Sequence, residues 1–196
     1  MYGSAVYMEK VLKKSFIGKI IYIAIVTVLT VIDQITKQIV VANIMPKGSV
    51  PLIKFGDTEV LNLTYCENTG MSFSLLEGQR VFLIAIPVIL IIGVTIIVFM
   101  EKLGSGRIDI LISLAALAGG GLGNLIDRIF QGYVVDFIDV RIINFAIFNF
   151  ADICAVCGGI YFGIMLAAAE IKEEKAKKNA LETENNGGKE SGDEEH

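Results

Sequence analysis

The sequence predicts an all-α integral membrane protein, four transmembrane helices with a small β-rich excursion outside the membrane. Three observations carry that reading. Of 196 residues, 54% are hydrophobic and the mean hydropathy is +0.63, too apolar for an ordinary soluble domain and long enough for one membrane unit. Four apolar runs approach the length of a bilayer-spanning helix, about 20 residues. Between the first two lies a mixed stretch with the breakers and alternation of short strands.

Residues 1–19 carry Lys10, Lys13, Lys14 and Lys19 ahead of an apolar run, as a secretory signal does. That run continues from Ile20 past Asp33 and Lys37 to about Ile44 with no small-x-small cleavage site after it, so it reads as the first span. Residues 45–80 hold Pro46, Gly48, Pro51 and Gly56 as breakers, and Thr58 to Tyr65 alternates like a strand. Val81 to Met100 is the second span, with Pro87 in its first two turns, where proline costs least. Ile108 to Ile126 is the third; Gly119, Gly120, Gly121 and Gly123 give it a smooth face for a helix or a ligand. Phe148 to Ala169 is the fourth, with Gly158, Gly159 and Gly163 on a similar surface. The expected organisation is an N-terminal segment over 1–19, a four-helix membrane domain over 20–169 including the excursion at 45–80, and a charged, disordered tail over 170–196.

The formal net charge of -4 owes much to that tail and implies no nucleic-acid partner. Lysines and arginines gather before the first span, between the second and third, and after the fourth, while Lys47, Lys54, Arg80, Arg128 and Arg141 fall on the other side. The positive-inside rule therefore places both termini in the cytoplasm. Asp33, Asp127, Asp136 and Asp152 then share the outer face with the excursion.

Cys66, Cys154 and Cys157 make no disulfide framework, and the single histidine is His196. Histidine-dependent triads and histidine-ligated zinc are excluded. Cys154-x-x-Cys157 could form a redox scaffold, though small polarisable residues in a membrane helix are ordinarily packing.

Ionisable groups inside a membrane are costly and usually functional, which directs attention to the aspartates. Asp33 and Lys37 stand i,i+4 with the acid first, the favourable order for a helical ion pair, either a clamp between spans or a substrate contact. Asn68-Thr69-Gly70 is a polar turn before the second span, and a plain surface turn would look the same. Asn124, Asp127 and Arg128 share one face of a helix end, where Arg128 is expected to hold Asp127 ionised and offer its other donors to a carbonyl or headgroup. Asp136 is flanked by Val134, Val135 and Phe137, and apolar flanks raise a carboxyl pKa as a general acid requires. Asn149 and Asp152 are again i,i+3 at a helix start, which favours negative charge on Asp152. Two acids in opposed environments form the pattern of a dyad sharing one proton. The plainer alternative makes these acids helix caps and interface residues, and Asp139 and Asp109 read that way, as an exposed loop acid and a helix-start acid.

At these residues the chain resembles the bacterial lipoprotein signal peptidases, or signal peptidase II, from Lys19 to about Ala169. The resemblance rests on Asp33-Gln-x-Thr-Lys37, Asn68-x-Gly70-x-x-Phe73, Gly123-Asn124-x-x-Asp127-Arg128, Val134-Val135-Asp136-Phe137 and Phe148-Asn149-x-Ala151-Asp152, in the family's order. It implies a four-helix aspartyl endopeptidase of the bacterial cytoplasmic membrane with an extracytoplasmic β-cradle and a helix or loop covering the site. The implied substrates are diacylglyceryl-modified prolipoproteins, cut just before the lipidated cysteine. The implied catalytic pair is Asp136 and Asp152; Asp33, Lys37, Asn68, Gly70, Asn124, Asp127, Arg128, Asn149 and Ala151 match positions that shape the site or contact substrate and the antibiotic globomycin. No metal or cofactor is implied. Met71 and Ser72 depart from the family's small alanines. The alternative from another class is a small transporter or ion-binding protein using the same aspartates, but no inverted repeat or pair of broken helices supports it.

Overall fold

The structure is a computed structural model that describes residues 2–70, 78–100, 108–143 and 145–190. Helix α1 (Tyr2–Asn43) leads through a single 3-10 turn, Met45–Lys47, into strands β1 (Ser49–Phe55) and β2 (Thr58–Asn68). Helices α2 (Arg80–Met100) and α3 (Ile108–Phe130), strand β3 (Val134–Val140) and helix α4 (Phe150–Glu190) follow. Among the described residues, four segments are long and apolar enough to cross a membrane: Ser15–Lys47, Arg80–Met100, Ile108–Phe130 and Phe150–Asn179. The all-α membrane class with a small sheet is what the sequence predicts.

The helices gather round α3. Half of its span is buried, against 17% for each of the others, so the other three turn most of their apolar surface outward to lipid. Small residues explain how neighbours come so close. A Cβ on Gly123 would stand 2.5 Å from Asp33 Oδ2 of α1, and one on Gly120 would collide with the Ala151 carbonyl of α4. The smooth face predicted for the third span therefore admits helices on both sides. Polar threads reinforce the packing: Tyr22 and Thr95 hydroxyls pair at 3.0 Å, and Thr30 Oγ1 donates to the Gly119 carbonyl at 3.2 Å.

The sheet has the order β1-β2-β3, antiparallel throughout. Its third strand departs from expectation, because the sequence pattern places strands only within 45–80, while 134–140 is a strand paired along β2. Val135 and Phe137 of β3 pack on Val40 and Ile44 in the last turns of α1, and Val50, Leu63 and Ile138 extend that core across all three strands. The fourth helix starts at Phe150, two residues late, because Phe148 forms a bridge to Ile138 of β3. The third runs on to Phe130, so Asp127 and Arg128 are helical.

Residues Met1–Gly159 form one compact unit containing the sheet, α1 to α3 and the first turns of α4. Ile160–His196 form a second, helical to Glu190. Met71, Ser72 and Phe73 lie outside the described residues.

Candidate active site

Two layers of polar residues are buried at the end of the bundle that carries the sheet. In the deeper one Asp33, Lys37 and Asp127 are almost wholly inaccessible. Lys37 Nζ lies 2.8 Å from Asp33 Oδ2, 2.9 Å from Asp127 Oδ2 and 2.8 Å from Asn124 Oδ1, which accounts for all three ammonium protons. Gln34 Nε2 donates to Asp127 Oδ1 at 3.0 Å and to the Gly123 carbonyl at 3.2 Å. The Ala151 N–H binds Asp33 Oδ1 at 3.1 Å, and the Val135 N–H binds Asp127 Oδ2 at 3.3 Å. One cluster thus ties α1, α3, α4 and β3 together. Its charges survive burial because every carboxylate oxygen has a donor.

This arrangement corrects one expectation. Arg128 does not pair with Asp127; its Nη2 donates to the Gly70 carbonyl at 3.0 Å, and Lys37 takes the acid. Adjacent helical residues point about 100° apart and cannot face each other. Asp139 is likewise buried on β3 rather than exposed in a loop, accepting from Thr64 Oγ1 at 2.7 Å and from Arg141 Nε at 2.7 Å. Asp109 does lie in the first turn of α3.

The second layer holds Asp136 and Asp152. Asn149 caps α4: its side chain accepts from the Asp152 N–H at 3.0 Å while Asp152 Oδ2 accepts from the Asn149 N–H at 3.0 Å, a reciprocal capping box. The same Asn149 donates through Nδ2 to Asp136 Oδ1 at 2.7 Å and to Asn124 Oδ1 at 3.0 Å. Asn68 Nδ2 reaches Asp136 Oδ2 at 2.8 Å, and Asn124 Nδ2 reaches Asp152 Oδ1 at 2.7 Å. Each carboxylate is therefore held by two N–H donors from asparagine residues. Burial, followed by the negative charge of Asp152, pushes Asp136 up to about 6, although Asn68, Asn149 and Lys37 pull the other way.

Both acids line one cleft of about 240 Å³. Its lining includes Gly120, Gly121 and Asn124 of α3, the apolar Ile86, Pro87 and Leu90 of α2, and the polar Asn68 and Arg128. Among the described residues, Arg128 Nε is buried without a hydrogen-bond partner. Of the residues singled out in the sequence, Asp136, Asp152, Asn68, Asn124 and Arg128 line this cleft. Asp33, Lys37 and Asp127 stand behind it, Asn149 joins the two acids, Gly70 meets Arg128 through its carbonyl, and Ala151 reaches Asp33 through its N–H. Gln34 was missed as a site residue; its one signal was its place beside Asp33 in the Asp-Gln-x-Thr-Lys motif.

The family model for signal peptidase (SPase) II matches residues 25–168. The chain belongs to the signal peptidase II family. The lipoprotein signal peptidase of Caldanaerobacter subterraneus subsp. tengcongensis is 40% identical over 144 residues, 74% of this chain and 94% of that one. That of Halalkalibacterium halodurans is 41% identical over 160 residues, 81% of this chain and 97% of its own. A bacterial membrane enzyme structure solved by the in meso method at 2.3 Å resolution superposes with a TM-score of 0.66 at 32% identity, covering 79% of this chain and 90% of that chain. As a signal peptidase II the protein is a multi-pass membrane peptidase, and the aspartate-lined cleft lies within the matched region.

Proposed function

We propose that the protein is an aspartyl endopeptidase that removes the signal peptide from diacylglyceryl-modified prolipoproteins, cutting on the N-terminal side of the lipidated cysteine. The observation that carries this reading is the convergence of Asp136 and Asp152, from a strand and a helix, on one cleft at the end of the spans. Asp136, pushed up to about 6, holds the proton and donates it to the scissile carbonyl oxygen. Asp152, steadied by Asn124 and by the cap of α4, takes a proton from water as the water oxygen attacks the carbonyl carbon. The tetrahedral gem-diol collapses when Asp152 passes that proton to the leaving cysteine nitrogen and the C–N bond breaks, while Asp136 takes back a hydroxyl proton as the C=O bond reforms, which returns both acids to their starting states. Arg128, with its free Nε, is aimed at a substrate carbonyl.

A signal helix lying against the α2 wall and acyl chains remaining in lipid would bring the scissile bond to this depth. Burying the acyl chains supplies affinity of about 0.8 kcal/mol per CH₂. The asymmetry of lysine and arginine supports a topology with both termini in the cytoplasm and the cleft at the outer face of the cytoplasmic membrane. Globomycin-type inhibitors would occupy the same cleft.

The test is cleavage of a diacylglyceryl-modified prolipoprotein by purified protein in detergent, for wild type, Asp136→Asn and Asp152→Asn, with globomycin binding measured in parallel. Both variants are expected to lose turnover by at least about 10³-fold while still binding. Retained turnover in either would remove that residue from the pair.

A further inference from the structure

Helix α2 is held unevenly along its length. Towards its end Val94 and Val98 are buried, the Thr95 hydroxyl pairs with Tyr22 of α1, and the Lys19 ammonium stands 5.4 Å from the centre of the Phe99 ring. Towards its start, among the described residues, Leu83 alone is buried, while Val81, Phe82, Ile86 and Ile89 are exposed. Pro87 brings no N–H for the Leu83 carbonyl, so the turns before it are joined to the rest of the helix by one hydrogen bond fewer. Through Ile86 and Pro87 this loosely held part forms the α2 side of the cleft.

Arg80, the first residue of α2, ties that part down. Its Nη2 donates to the Arg128 carbonyl at 3.2 Å and to the Ile129 carbonyl at 3.0 Å, both in the last turn of α3. A helix leaves its last carbonyls without intrahelical donors. Here the turn at Gly132, with φ at 86°, brings the Gln131 and Gly132 N–H groups onto the Asp127 carbonyl at 2.7 and 3.2 Å, and Arg80 takes the next two carbonyls. A guanidinium at the start of its own helix stands at the unfavourable end of that dipole, whereas the C-terminus of α3 attracts it. The charge is therefore placed for α3. Arg128, whose carbonyl it binds, lines the cleft and reaches Gly70 through its own Nη2.

We propose that Arg80 is a positioning residue for the cleft. It latches the start of α2 to the last turn of α3, which sets the distance of Ile86 and Pro87 from α3 and the direction of Arg128, without touching substrate. Its effect on substrate rests on the reading of the cleft as the substrate site; the latch itself does not. A cleft that is too wide, with Arg128 misdirected, holds ground state and transition state less well alike, so the loss falls on KM and not on kcat.

Arg80→Met removes the donors and keeps the aliphatic stem. In the full-length protein in a maltoside detergent, whose headgroup has no phosphate for an arginine to bind, KM for a diacylglyceryl-modified prolipoprotein is expected to rise about 10-fold with kcat within about twofold. Amide hydrogen exchange, read by mass spectrometry without substrate, should speed up over the first turns of α2 and over 128–132. Arg80→Lys, still a cation and a donor, should recover part of both effects. Unchanged exchange in Arg80→Met would overturn the latch and leave Arg80 as a lipid-headgroup contact, and a lysine variant no better than the methionine one would overturn its hydrogen-bonded basis. Faster exchange with unchanged KM would keep the latch but overturn its role for substrate, and with it the reading of the cleft. A larger fall in kcat would mean that Arg80 acts on the reacting geometry and would overturn the assignment to binding.

Discussion

Lys37 Nζ lies 2.8 Å from Asn124 Oδ1, and through that contact a buried cation sets the direction of a group in the cleft. An ammonium only donates, so the oxygen of Asn124 must face it and the amide NH₂ must face Asp152, 2.7 Å away. Asn124→Asp keeps the size and the contact with Lys37 but presents an acceptor to Asp152. Turnover is expected to fall about 10²-fold, the cost of a misplaced catalytic group, with substrate binding less affected. Unchanged kcat in a single-turnover assay would show that the orientation of Asn124 does not matter.

Among the described residues, Lys37 is the single cation paired with both Asp33 and Asp127. Lys37→Met strands two carboxylates in a closed site, and removing one partner of a buried ion cluster costs about 3–5 kcal/mol. Thermal unfolding in detergent should drop accordingly and recover in part when Asp33→Asn is added. A loss below about 1 kcal/mol, with no recovery, would mean that water already reaches the cluster.

Gly120→Ala drives a methyl group into the backbone of α4 at Ala151, which cannot swing aside as a side chain can. Forced overpacking of this kind costs about 1–3 kcal/mol and moves the helix that carries Asp152. Both stability and turnover should fall. Gly163→Ala, with open space around it, should leave both unchanged.

Asp136 lies well above the ordinary carboxylate value, at about 6. Between about pH 4 and 6 the native state holds a proton there that the unfolded chain has released, so this group's contribution to stability is full below that window and is lost as pH rises through it. Asp136→Asn carries no such group. The stability of wild type relative to Asp136→Asn should therefore decline from about pH 4 towards neutrality, measured by thermal unfolding in detergent. A rising difference would place the pKa of Asp136 below the ordinary value. If Asp136 supplies the acid, kcat/KM should fall on the alkaline side with an apparent pKa near 6.

The four spans were legible because a bilayer demands long, contiguous apolar runs, and contiguity is a local property of the chain. The Asp33–Lys37 pair and the Asn149 cap were legible for a related reason, since helical spacing brings i,i+3 and i,i+4 residues together wherever the helix sits. Strand β3 escaped because Val134 to Phe137 are all buried, so the period-2 alternation that marks a half-exposed strand is missing. The partner of Asp127 escaped because Lys37 lies on another helix, while Arg128, its neighbour in sequence, points elsewhere.

By itself, then, the sequence determined the class of solvent, the spans, and which acids stand beside apolar runs, because hydropathy and helical spacing are written locally. Only the tertiary structure decided that Asp136 and Asp152 share a cleft, that asparagines from three elements hold them, and that a lysine on α1 sets the direction of one of those asparagines. Those contacts join residues far apart in the chain. They exist because glycines on α3 let α1 and α4 approach closely enough for short polar side chains to meet.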